Sequence, residues 1–105
     1  MPVTITARHV DLPDPLRERA AEVAGRLEVR SGREAEVAIL FDLEAGTPTA
    51  EIRFRAKGLD ALHAVGTGDD HRSALDRAEE KMRRQLEKPT TRRLRNRKSG
   101  ELDRA

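Results

Sequence analysis

Asp69-Asp-His-Arg-Ser-Ala-Leu-Asp-Arg-Ala-Glu-Glu-Lys-Met-Arg-Arg-Gln-Leu-Glu-Lys88, followed by Pro89-Thr-Thr-Arg-Arg-Leu-Arg-Asn-Arg-Lys98, is the stretch that decides how the chain folds. At about 100° per residue, His71, Ala74, Leu75, Ala78, Met82 and Leu86 share one side of a helix, whereas Arg77, Lys81, Arg84 and Lys88 cluster on another. One stripe is built to pack and the other to meet an anion. Asp69 or Asp70 supplies the N-cap. Pro89 stops the helix, because it has no N–H and its ring clashes with the preceding turn. Beyond it Arg92, Arg93, Arg95, Arg97 and Lys98 form a basic run without an acid.

The net charge of +2 hides an asymmetry. Residues 1–76 hold 10 basic and 14 acidic groups, and residues 77–105 hold 11 and 5. Positive potential gathered at one end steers a chain toward a polyanion while the rest stays mildly acidic. With no cysteine, disulfides and thiolate zinc sites are excluded. The start, Met-Pro-Val-Thr-Ile-Thr-Ala-Arg, lacks the pattern of a signal peptide, and no apolar run approaches the roughly 20 residues that span a bilayer. A cytoplasmic protein with no membrane partner is expected. The 105 residues suit one small domain over 1–88 with a basic, flexible tail over 89–105.

Working back from the last helix, Leu62 to Thr67 reads as a short strand before Gly68. Ala50, Ile52, Phe54 and Ala56 alternate with Glu51, Arg53, Arg55 and Lys57, and Val37, Ile39, Phe41 and Leu43 alternate with Ala38, Leu40 and Asp42. This is the period of two of half-buried strands, and Glu44-Ala45-Gly46-Thr47-Pro48 between them has turn chemistry, which predicts a hairpin. Further back, Leu16, Ala20, Val23, Ala24 and Leu27 form an apolar stripe behind Asp14-Pro15, an N-cap and N1 pair, giving a helix that ends near Ser31-Gly32. Gly25 within it is expected to mark close packing against the sheet. Val3, Ile5 and Ala7 alternate with Thr4, Thr6 and Arg8 as a first strand. The order β-α-β-β-β-α predicts an α+β, two-layer sandwich: one four-stranded sheet with both helices on one face. Thr4, Thr6, Arg8, Arg53, Arg55, Lys57 and His63 would line its bare face.

No catalytic constellation stands out. His9, His63 and His71 have neighbouring carboxylates, but no pair shows metal-ligand spacing on a helix, and Gly66-Thr67-Gly68 is too short for a phosphate cradle and reads as a turn. Neither enzyme, metal, cofactor nor small-molecule substrate is expected. The aromatic residues, Phe41 and Phe54, fall on the inward face, so no platform exists to stack unpaired bases. Recognition of phosphates and folded RNA shape by Arg and Lys remains.

Ile5-Thr6-Ala7-Arg8 with Leu16-Arg17-Glu18, Arg26-Leu27-Glu28, the hairpin and Leu62-His63-Ala64 form a pattern completed by Gly68, Asp70, Ala74, Leu75 and Asp76, leading into Lys81-Met82-Arg83-Arg84-Gln85-Leu86-Glu87-Lys88. Over residues 3–88 this combination resembles the ribosome hibernation promoting factors, the family that includes protein Y and the sigma-54 modulation proteins. The resemblance implies a fold like double-stranded-RNA-binding domains. It also implies a non-enzymatic factor that occupies the mRNA and tRNA cleft of the small ribosomal subunit and contacts its rRNA. Lys81, Arg84 and Lys88 match the family's basic positions on the last helix, and Arg26 matches one on the first. Arg77 joins them through the stripe, and Arg92, Arg93 and Arg95 would add nonspecific attraction. Glu22, Arg30, Ser31, Arg72 and Pro89 depart from the family's usual residues. Two other readings stand beside this one: a general structured-RNA binder of the same fold, and a protein-interaction module that modulates a sigma factor.

Overall fold

The computed structural model describes residues 2–87. Its elements are β1 (Val3–Ala7), α1 (Asp14–Ser31), β2 (Ala35–Glu44), β3 (Thr47–Ala56), β4 (Leu62–Thr67) and α2 (His71–Leu86). This is the α+β order read from the sequence. The sheet runs β1-β2-β3-β4, with β1 parallel to β2 and the other pairs antiparallel. A parallel neighbour requires a crossover, and α1 supplies it by passing over one face.

The hairpin is tighter than the sequence suggested. Pairing extends through Glu44↔Thr47, leaving a two-residue turn in which Ala45 and Gly46 both have positive φ, at 52° and 80°. Two consecutive positive φ values match the right-handed twist of the strands they join. Helix α1 also starts differently. Pro13, not Asp14, is the N-cap, with extended backbone and no side-chain cap; its carbonyl accepts from the N–H groups of Leu16 and Arg17 at 3.0 Å each. Asp14 lies in the first turn, where its carboxylate meets the positive end of the helix dipole. Gly32, at φ 69°, closes the other end by donating to the Glu28 and Val29 carbonyls.

The core lies between the sheet and the helices. Phe41, Phe54, Ile39, Ile52, Leu27, Val23, Leu75 and Met82 are fully buried. Helix α2 packs over β3 and β4, and α1 sits beside α2 toward β1 and β2. The cover over β1 is thinner, so Val3, Ile5 and Ala7 remain only partly buried. Gly25 does not make the expected close contact with the sheet: a Cβ placed there would meet nothing within 4 Å. Among the described residues, no helix is long and apolar enough to cross a membrane.

Candidate nucleic-acid interface

The seating of α2 begins at its cap. The Asp70 carboxylate accepts from the Ser73 N–H at 2.8 Å, and that bond holds the Asp70 carboxyl below its ordinary range. His71 Nε2 donates to the Asp42 carbonyl at 2.8 Å, and its ring meets Phe41 edge-on with centroids 5.9 Å apart. Ala74, Leu75, Ala78, Met82 and Leu86 are buried, as the apolar stripe requires. The small side chains of Ala74 and Ala78 let the helix settle onto Gly66. A Cβ at Gly66 would lie 2.2 Å from the Ala74 carbonyl oxygen and 2.5 Å from the Ala78 nitrogen. Gly66 lies within β4, as the Leu62–Thr67 reading has it, and marks a close backbone approach, so the turn read from Gly66-Thr67-Gly68 begins only after Thr67.

This approach places the basic stripe along the free edge of β4. Arg77 Nη1 donates to the Thr67 carbonyl at 2.8 Å, Lys81 Nζ to the Val65 carbonyl at 2.7 Å, and Gln85 Nε2 to the His63 carbonyl at 2.8 Å. The spacing is a matter of matched repeats. Four helical residues rise about 6 Å and two strand residues about 6.6 Å, so i, i+4, i+8 on α2 keeps step with i, i−2, i−4 on β4. Three side chains form a comb that satisfies the outward carbonyls of an edge strand. Among the described residues, the Arg77 guanidinium and Lys81 ammonium have only carbonyls as partners, so their charges are fixed in position but not neutralised. Sequence reading missed Gln85, whose place in the comb follows from the same spacing only once β4 is known to be an edge.

The other predicted positions sit differently. Arg84 bonds to Glu80 one turn earlier at 2.9 Å, in a largely exposed pair. Such a pair contributes little and yields readily to a competing anion. Arg26 makes a bidentate contact with Glu79, at 2.9 and 3.1 Å. The Glu79 hydrogen bond raises the Arg26 pKa. That pair belongs to a seam in which Arg19–Asp76 and Arg30–Glu87 also bridge α1 to α2. Arg83, which the reading passed over, lines a groove along this seam with Gly25, Arg26, Val29 and Arg30. Lys88, Arg92, Arg93 and Arg95 lie outside the described residues.

The bare sheet face is less basic than its sequence suggests. Arg8 pairs with Asp42 at 3.1 Å, Arg55 with Glu36 at 3.1 Å, and Arg53 with Glu51 at 2.9 Å. His63 also bonds to Glu51. Burial pushes the Glu51 carboxyl up, but the bonds from Arg53 and His63 outweigh it and leave the group lowered. Among the described residues, the three arginines of the bare face are each paired with an acid, whereas Arg77 and Lys81 on α2 are not. Among the described residues, no cluster of three or more His, Asp or Glu side chains is placed to hold a metal ion.

Comparison with known proteins bears on what this interface meets. The family model described as Sigma 54 modulation protein / S30EA ribosomal protein matches residues 3–94. Among solved structures, the chain is similar to the N-terminal domain of Thermus thermophilus protein Y, with a TM-score of 0.72 at 21% identity, covering 82% of this chain and 96% of that one. It is similar as well to a ribosomal subunit interface protein from Coxiella burnetii, with a TM-score of 0.73 at 22% identity, covering 84% and 96%. At these identities the structural likeness speaks for the fold. No match is found among curated proteins.

Proposed function

The chain belongs to the sigma 54 modulation protein / S30EA ribosomal protein family, a ribosome-associated family, and from that premise we propose that it is a hibernation factor of the small ribosomal subunit. It would occupy the cleft where mRNA and tRNA bind and hold the subunit idle by steric exclusion, without catalysis. Affinity comes from phosphate contacts. The observation that carries this reading is the pair Arg77 and Lys81, each fixed by a β4 carbonyl and unpaired with an acid. A cation already held in place loses little side-chain entropy on meeting a phosphate. Arg84, Lys88, Arg92, Arg93 and Arg95 would extend the contact along the rRNA, and Arg26 would take part only by leaving Glu79.

The test separates charge from architecture. Arg77→Gln with Lys81→Gln keeps a donor for each β4 carbonyl and deletes two charges. In co-sedimentation with small subunits, the double variant should bind at least about tenfold more weakly near 100 mM salt, and its log-log salt slope should fall by about two. Its urea midpoint should stay close to that of the parent. Unchanged binding would sink the proposal. Equal affinity of the parent for ribosomes and for an arbitrary RNA duplex would replace it with a general structured-RNA binder.

A further inference from the structure

The free edge of β1 is open. Pro2 and Arg8 direct their main-chain groups to β2, through Val37 N–H to Pro2 carbonyl at 3.1 Å and Arg8 N–H to Phe41 carbonyl at 2.9 Å. In a parallel pair the alternate residues face the other way. The N–H and C=O groups of Val3, Ile5 and Ala7 therefore point off the sheet, and among the described residues no side chain reaches them as α2 reaches β4. The usual protections are missing as well. Val3–Ala7 contains no charge, no proline and no bulge, the devices that keep edge strands from pairing.

The strand is also self-complementary. Val-Thr-Ile-Thr-Ala reads apolar, Thr, Ile, Thr, apolar in both directions about Ile5. Turned antiparallel on a copy of itself about Ile5, it sets Val3 against Ala7, Ile5 against Ile5 and Thr4 against Thr6. All three apolar pairs are those whose main-chain groups face the edge, so each exchanges two hydrogen bonds, six in all. The partly buried Val3, Ile5 and Ala7 would gain cover on the inner face. Thr would meet Thr on the outer face, a favourable cross-strand pair without like-charge repulsion. Arg8 would lie opposite Pro2, not opposite another arginine.

We propose that β1 is a self-association edge, pairing antiparallel with β1 of a second copy around a two-fold axis to form a continuous eight-stranded sheet. The residue-by-residue match of one short strand to its own reverse is what favours a second copy over an unrelated extended peptide. Five residues a side make a small contact, so the dimer is reversible and concentration-dependent. Because β1 and β4 are opposite edges of the sheet, both α2 stripes stay open in the dimer.

Sedimentation of the full chain over a range of concentrations, with amide exchange by NMR, tests this. The expected result is a reversible dimer in which the amides of Val3, Ile5 and Ala7 gain protection with concentration, while those of Thr4 and Thr6, already facing β2, do not. Thr4→Lys with Thr6→Lys places like charges across the non-hydrogen-bonded pairs and should weaken association by about tenfold or more. Thr4→Lys with Thr6→Glu places opposite charges there and should restore it. Both positions are exposed, so neither variant burdens the core. A monomer at every soluble concentration, a dimer indifferent to the paired lysines, or protection of the odd-numbered amides by a foreign extended peptide but not by a second copy would each overturn the proposal.

Discussion

Along β4 the outward carbonyls of His63, Val65 and Thr67 each accept a hydrogen bond from α2, whereas along β1 the corresponding groups of Val3, Ile5 and Ala7 meet no partner among the described residues. The difference arises from where the helices sit. Gly66 lets α2 lie so close to β4 that four-residue steps along the helix reach successive carbonyls of the strand. Helix α1 serves as the crossover from β1 to β2, and its charged side chains Arg19, Arg26 and Arg30 turn to the seam with α2 instead. One edge is closed and carries fixed positive charge; the other is neutral and open. Cations on an edge strand protect it from pairing, and here the same cations are the ones proposed to meet phosphate.

The harshest way to break this contrast is Gly66→Ala. The added methyl would overlap backbone atoms of α2, so the helix must lift, at a cost on the order of 3 kcal/mol. Urea unfolding should show that loss, and full parental stability would mean that the close approach does not seat the helix. A milder cut removes only the comb. Arg77→Ala, Lys81→Ala and Gln85→Ala together should cost about 2 kcal/mol, less than one unit per bond because the edge is solvated. The exposed β4 edge should also produce concentration-dependent aggregation, read by light scattering. A soluble triple variant as stable as the parent would show that the three bonds do not guard the edge.

The smallest effect concerns acid. Asp42 receives bonds from His9 at 2.8 Å, the Leu43 N–H at 2.7 Å and Arg8 at 3.1 Å, and these, the His9 bond foremost, hold its carboxyl below the ordinary range. A lowered carboxyl stabilises the fold above the ordinary carboxylate range and loses that contribution as pH falls through the depressed value. The comb on β4 contains no carboxylate. Acidification should therefore loosen residues 8–9 at the exit of β1 before it affects the β4 edge. Amide exchange at Arg8 compared with residues 63–67 would read the order, and Asp42→Asn should remove the acid dependence at Arg8. The reverse order, or an unaltered dependence in that variant, would contradict this account.

Much of this architecture was legible in the residues. Alternation in β1, β2 and β3 and the apolar stripes of both helices marked five of the six elements, because burial on one face imposes its period on the sequence, and β4 was read as a short strand before Gly68. Local conformations were less legible. Asp14-Pro15 carries the composition of a cap, yet the Pro13 carbonyl takes that place. Gly25 suggested a tight contact and has open space, while Gly66 suggested a turn and has the tight contact. A glycine announces only that a side chain is absent; whether room or proximity explains it depends on what lies opposite.

The sequence by itself determined the element order, the inward faces and the concentration of positive charge toward the C-terminal end, since periodicity and composition are properties of the chain. Only the tertiary structure decided which charges remain free. Arg26 and Arg77 look alike in the sequence, but the first faces Glu79 across a helix seam and the second faces a carbonyl on an edge strand. A carboxylate cancels a guanidinium's charge, whereas a carbonyl only holds it in place. Which of the two each arginine meets is set by the packing of segments distant in sequence.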